Sequence, residues 1–184
     1  MKVITPSNPY DAKGLLKAAI RDNDPVVFLE SEKMYGDKGE VPEGEYIIPI
    51  GVADIKRKGH SVSIVTFGKI IKVAQEAAEV LAQDGIECEI IDLRTVRPID
   101  YAAVVDSVKK TNRCVVVEES WPLASISSEI AYHLQRYAFD YLDAPVMRVT
   151  QTDTPVAFYP ILIEEDLPKV ERIVKAVKAT MYRA

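Results

Sequence analysis

Val26-Val27-Phe28-Leu29 and Cys114-Val115-Val116-Val117 are uninterrupted apolar runs of four residues. A strand that is apolar on both faces must be buried on both, as in sheets covered by helices on two sides. The segments between such runs carry the matching helical signal. Ile70, Val73, Ala74, Ala77 and Leu81 recur three and four apart, and so do Ile126, Ile130, Leu134 and Tyr137. Val104, Val105 and Val108 mark a third helix, and Val170, Ile173, Val174 and Val177 a fourth. Strands are expected at 52–56, 62–66, 88–93, 114–117 and 146–149, with the first two closing a hairpin across Lys58-Gly59. Helices are expected from Ile70, over 98–110, over 125–137 and over 168–181. This alternation predicts an α/β fold with a mostly parallel sheet and helices on both faces.

The front of the chain reads as a separate piece. Residues 2–4 suit a short strand. Asn8 then caps a helix that has Pro9 at its first position and Asp11 in its first turn. Ala12, Leu15, Leu16 and Ala19 form its apolar face, and Pro25 prevents it from running on. One β-α-β unit is too small to fold by itself. Residues 1–30 are therefore expected to be the C-terminal edge of a domain that begins upstream. Residues 31–45 hold Gly36, Gly39, Pro42 and Gly44 among charges and read as a linker. Residues 46–184 form the second domain.

Composition narrows the function classes. A formal net charge of -5 argues against a nucleic-acid face, which needs a basic patch. No apolar run approaches the roughly 18 residues of a membrane span, and residues 1–6 show no signal or transit pattern. A cytoplasmic location is expected. Cys88 and Cys114 lie in separate apolar runs outside any C-x-x-C and read as small buried hydrophobes. His60 and His133 have no partners at metal-ligand spacing.

In an open α/β sheet, ligands bind beyond the carboxyl ends of the strands, and three loops qualify. Phe67-Gly68-Lys69 precedes a helix and could meet an anion, but a tight strand-to-helix turn explains the glycine as well. The loop 92–98 carries Arg94 and Arg97. They could clamp a carboxylate or phosphate, or pair with acids across a subunit boundary. The second role is preferred, because neither nucleophile nor base accompanies them. Glu118-Glu119-Ser120-Trp121-Pro122 offers two carboxylates, but adjacent residues leaving a strand point to opposite faces, so one at most enters a given cleft. Trp121 suits a packing or interface anchor. His133 lies on the apolar side of its helix and suits a boundary position better than a general base. Finally, Asp22 and Asp24 follow the unpaired carbonyls at a helix C-terminus, giving an oxygen-rich corner that could hold a hard cation or simply be a solvated turn.

Several segments, in order along the whole chain, resemble one family. They are Pro9-Tyr10-Asp11-Ala12-Lys13-Gly14-Leu15-Leu16, Ala19-Ile20-Arg21-Asp22-Asn23-Asp24-Pro25, Ile48-Pro49-Ile50-Gly51, Asp92-Leu93-Arg94-Thr95-Val96-Arg97-Pro98, Val117-Glu118-Glu119-Ser120-Trp121-Pro122, Leu142-Asp143-Ala144-Pro145, Arg148-Val149-Thr150 and Asp153-Thr154-Pro155. The chain is similar to the beta subunits of the thiamine-diphosphate-dependent 2-oxoacid dehydrogenases. Glu30-Ser31-Glu32-Lys33-Met34-Tyr35-Gly36 is closer to the pyruvate members than to the branched-chain ones.

The resemblance implies that residues 1–30 match the end of a pyrimidine-binding domain and residues 46–184 a transketolase C-terminal-like domain. It implies an enzyme that oxidatively decarboxylates pyruvate and acetylates lipoyl groups, with branched-chain or acetoin dehydrogenase as alternatives. The family's cofactor-activating glutamate and its histidine precede the part matched here, so no catalytic or cofactor-binding residue carries over. Thiamine diphosphate and magnesium belong to the full assembly, and this portion alone is expected to be inactive. Potassium is implied at the corner of Ala19, Ile20, Asp22 and Asp24, incompletely, since one ligand lies outside this sequence and Asp24 stands where some relatives have asparagine. Asp143 and the carboxylate of Ala184 match a surface that docks the subunit-binding domain of the dihydrolipoyl acyltransferase. The other implied partners are the alpha subunit and a second beta subunit, in the cytoplasm or, for a eukaryotic protein, the mitochondrial matrix. An independent α/β binding module using the loops of Arg94, Arg97 and Glu118 is the competing reading.

Overall fold

The computed structural model describes residues 1–182. Strand β1 (Lys2–Ile4) leads into helix α1 (Pro9–Arg21) and returns as β2 (Val26–Phe28), parallel to β1. The side chain of Asn8 accepts the Asp11 N–H, as its capping position requires. Ile4 and Leu15 are fully buried and meet Ile48. Gly14 permits that approach: a Cβ there would stand 2.6 Å from the Ile48 side chain. The segment 46–50, which has no regular structure, is thereby seated on α1. Within 31–45 the structure has one helical turn of 3-10 type, Glu32–Met34.

The main sheet contains β3 (Asp54–Arg57), β4 (Val62–Thr66), β5 (Cys88–Asp92), β7 (Cys114–Val117) and β8 (Met147–Val149), in the spatial order β3-β5-β4-β7-β8. Only β3 runs antiparallel to its neighbour. Helices α2 (Ile71–Gln83) and α6 (Val170–Thr180) cover one face, and α3 (Tyr101–Thr111) and α4 (Ile126–Tyr137) the other. The expected α/β architecture, a mostly parallel sheet with helices on both faces, is what is found.

The expected hairpin is not. β4 is buried along its whole length and lies inside the sheet, between β5 and β7. β3 is Asp-Ile-Lys-Arg, half-exposed, and takes the edge beside β5. The chain between them crosses the start of β5, where His60 and Ser61 N–H groups donate to the Glu87 carbonyl at 3.0 and 2.9 Å. Gly59 is needed for space, since a Cβ there would fall 2.3 Å from the Cys88 carbonyl carbon.

Two further elements were not anticipated. Strand β6 (Thr95–Arg97) leaves the second block and pairs antiparallel with β1, so the small sheet runs β2-β1-β6. The reversal between β5 and β6 is made by Arg94, whose φ of 57° is unusual for a side chain of that size. Helix α5 (Pro160–Asp166) is short and has no buried residue.

Candidate functional site

The carboxyl ends of β1 and β2 face those of β4 and β7 across a cleft of about 170 Å³. Pro6, Glu30, Phe67, Lys69 and Glu119 are among its walls. Gly68, at φ 66°, makes the tight turn that carries β4 into α2, which is the role its position suggested. Lys69 is neutralised by Glu119 at 3.0 Å, and Glu30 accepts a hydrogen bond from the Tyr35 hydroxyl at 3.1 Å. Neither histidine nor cysteine lines this cleft. It offers a paired charge and apolar walls, without an activated nucleophile or a matched acid and base.

The two glutamates diverge as the strand geometry requires. Glu118 is 1% exposed and turns inward, where its Oε1 accepts the Ser127 N–H at 2.9 Å. A carboxylate at this position satisfies an unpaired donor and the positive end of α4. Its other oxygen is buried without a hydrogen-bond partner. Glu119 points to the cleft. Trp121 is half-exposed and donates through Nε1 to the Thr154 carbonyl at 2.9 Å, tying two surface loops together. His133 lies between Tyr101 and Tyr137, with ring centroids 3.8 and 4.5 Å away. Burial holds its imidazole below the ordinary histidine value. Cys88 and Cys114 are buried, and burial pushes both thiols up to about 12, which leaves them inert at neutral pH.

Arg94 pairs with acids, and with acids of its own chain. Its Nη2 lies 2.7 Å from Asp11 and 3.0 Å from Asp54. Lys56 joins the same cluster, 2.8 Å from Asp11, 2.6 Å from Asp54 and 3.8 Å from Asp92. Ser7 donates its hydroxyl to Asp92. Asp11 and Asp92 are fully buried. Burial raises the Asp11 carboxyl, but the cations Lys56 and Arg94 outweigh it and leave Asp11 below the usual carboxylate range. This cluster fastens α1 and its lead-in to β3 and β5. No single segment of the sequence signals it, because its members come from three separate stretches, 7–11, 54–56 and 92–94. Arg97 is exposed on β6.

At the helix-end corner, the Asp22 N–H donates to the Ala19 carbonyl at 3.3 Å. Lys2 places its ammonium 2.6 Å from Asp22 and 3.2 Å from Asp24. The two carboxylates are therefore already matched with a cation, and main-chain carbonyls are the donors left for a metal. Ile20 is 75% exposed, so its end of the corner is open. Asp143 is exposed, pairs with Arg113 at 3.0 Å, and accepts the Tyr182 hydroxyl on its carbonyl at 2.9 Å. Ala184 lies outside the described residues. Among the described residues, no group of three or more His, Cys, Asp and Glu could hold a metal ion. No helix among them is long and apolar enough to cross a membrane.

Family models match most of the chain: the transketolase C-terminal domain over residues 51–173 and the transketolase pyrimidine binding domain over residues 1–38. The chain belongs to the transketolase C-terminal domain family. It is 49% identical over 174 residues to the beta subunit of acetoin:2,6-dichlorophenolindophenol oxidoreductase from Bacillus subtilis, covering 95% of this chain and 51% of that protein. It is 48% identical to the pyruvate dehydrogenase E1 component subunit beta of Rhizobium meliloti, over 100% of this chain and 40% of that one. The corresponding Rickettsia felis subunit is 47% identical, with 99% and 56% covered. The chain thus spans about half the length of the curated relatives it matches. A split-gene transketolase described as an inactive beta4 tetramer has the same fold, with a TM-score of 0.78 at 23% identity over 99% of this chain and 57% of that one. Thiamine diphosphate does not fit the strand-end cleft of this family member as it stands. The cleft has one lysine, already paired, to meet two phosphates, and its two carboxylates are engaged, Glu119 by Lys69 and Glu30 by the Tyr35 hydroxyl.

Proposed function

We propose that this chain is a portion of a thiamine-diphosphate-dependent pyruvate dehydrogenase beta subunit. In this reading it serves assembly with an alpha subunit and a second beta subunit, and docking to the acyltransferase core, without an active site of its own. The observation that carries the reading is 44–48% identity to pyruvate dehydrogenase beta subunits over essentially the whole chain. The strand-end cleft, which has its lysine paired and lacks a nucleophile, is in keeping with it. The segments 1–30, 31–45 and 46–184 would then be the edge of the pyrimidine-binding domain, a linker and the C-terminal domain. Magnesium and the diphosphate would be held by the full assembly, in the cytoplasm or the mitochondrial matrix. Potassium, if bound, would rest on the carbonyls of Ala19, Ile20, Asp22 and Asp24, since Lys2 matches the carboxylates. Arg94 is consumed by pairing inside the chain, which counts against an independent binder built on its loop.

The test is decarboxylation of pyruvate by the pure chain with thiamine diphosphate and magnesium. No turnover is expected, and steady turnover would overturn the reading. A second reading has its own support. Acetoin-oxidoreductase beta subunits from Bacillus subtilis and Cupriavidus necator both reach 49% identity. Disruption of the gene in its host separates the two: loss of pyruvate oxidation supports the first, and loss of acetoin oxidation alone supports the second.

A further inference from the structure

The cluster that joins α1 to the main sheet is unbalanced in charge. Three carboxylates, Asp11, Asp54 and Asp92, surround two cations, Lys56 and Arg94. The cations sit closest to Asp11 and Asp54. Asp92 is the member without a cation in direct contact, since Lys56 stands 3.8 Å off. Asp92 is instead served by neutral donors: the Ser7 hydroxyl and the Arg94 N–H, the latter at 3.0 Å from Oδ1. It is 0% exposed. Its in-register neighbour on β4 is Thr66, whose buried hydroxyl has no hydrogen-bond partner. A surplus negative charge in such a place is removed most cheaply by a proton.

We infer that this cluster is a proton-coupled clamp: in mildly acid solution Asp92 takes up a proton when the α1 unit docks on the main sheet, and it gives that proton up as the solution approaches neutrality. The groups that face Asp92 are Ser7 and Asp11 from the α1 unit, Lys56 and Asp54 from β3, and Arg94 from the turn after β5. Burial pushes the Asp92 carboxyl up to about 6, against the pull of Ser7, the Arg94 N–H and Lys56, with the Asp11 charge adding to the rise. A folded value above the unfolded one means that the folded state holds more protons between the two. The Asp92 contribution to docking is thus most favourable below about pH 4 and declines as pH rises through 6. Asp11 has the opposite sign, and its stabilisation is lost only below the ordinary carboxylate range.

The experiment is carboxyl carbon NMR of the whole chain with pH, together with urea unfolding and hydrogen exchange at β1 amides at pH 5 and pH 7, for the native chain and for Asp92→Asn. One carboxyl is expected to titrate near pH 6 in the native chain and to be absent in Asp92→Asn. The native folding equilibrium should fall about tenfold, relative to the variant, from pH 5 to pH 7. Protection of β1 amides, corrected for intrinsic exchange, should fall with it in the native chain alone. Absence of any carboxyl titrating above pH 5, or the same pH dependence in both chains, would overturn the clamp. If Asp92→Asn fails to fold, Ser7→Ala decides: loss of the donated hydroxyl should move the titration upward, and an unmoved midpoint would refute the assignment.

Discussion

Nη2 of Arg94 lies 2.7 Å from Oδ1 of Asp11, and this contact ties the first helix of the chain to the end of a strand in the main sheet. Arg94 reaches it from a left-handed backbone conformation. Its carbonyl meanwhile accepts the Thr5 N–H at 2.8 Å, so the same residue holds both ends of the contact between the two sheets.

Removing the guanidinium leaves the buried Asp11 with Lys56 as its remaining cation. Arg94→Ala is expected to lower stability by about 3 kcal/mol, the usual cost of breaking a buried ion pair from one side. Urea unfolding checks this. A loss within about 0.5 kcal/mol would mean that the pair does not fasten the units.

Glu118→Ala should cost about 2 kcal/mol, because it empties a buried site and frees the Ser127 N–H at the start of α4. Glu118→Gln keeps an acceptor there and should recover most of the loss. Equal losses for the two variants would show that the charge matters, and that neither the capping bond nor the filled volume, both of which Gln keeps, does.

Gly59→Ala drives a methyl group into the β5 backbone at Cys88. A loss of about 2 kcal/mol or more is expected from this overpacking, measured by thermal or urea unfolding. A neutral substitution would mean that the crossing between β3 and β4 is looser than described.

His133 should titrate below its ordinary value, in an NMR experiment on the imidazole protons. Burial is the leading cause, with the Arg136 charge assisting and the Glu129 charge opposing. A depressed folded value means that stability is lost as pH falls through the unfolded value toward the folded one. Glu129→Gln removes the opposing charge and should lower the midpoint further. A midpoint that rises would contradict the opposing role of the Glu129 charge.

Much of the fold can be read from short segments because their signals are local. Asn8 and Pro9 start α1, Pro25 closes off its end, and the apolar run of β7 lies in a sheet interior as expected, whereas that of β2 does not: β2 is the edge of the small sheet, and Val27 and Leu29 are 37% and 51% exposed. The features that escaped depend on distant partners. β6 is three residues with a charged end, and only β1, near the start of the chain, makes it a strand. Lys58-Gly59 has the composition of a hairpin turn, yet its glycine serves close packing on β5. α5 has its apolar residues exposed, so no buried face gives it a period. In the candidate site, the divergence of Glu118 and Glu119 follows from strand alternation. That Arg94 pairs with acids was legible, but that they lie in its own chain was not. Lys2 meets Asp22 because β1 and β2 are parallel neighbours, a relation that spacing alone does not reveal.

The most direct measurement is calorimetric titration of the chain with the subunit-binding domain of the acyltransferase, beside Asp143→Ala. Asp143 is already held by Arg113 and half open to water, so the variant should weaken binding by about 2 kcal/mol, the low end for a charge lost from an interface. Tight binding to the native chain, reduced by that amount in the variant, is the expected result. No heat of binding to the native chain, or equal binding by both, would contradict a docking role centred on Asp143.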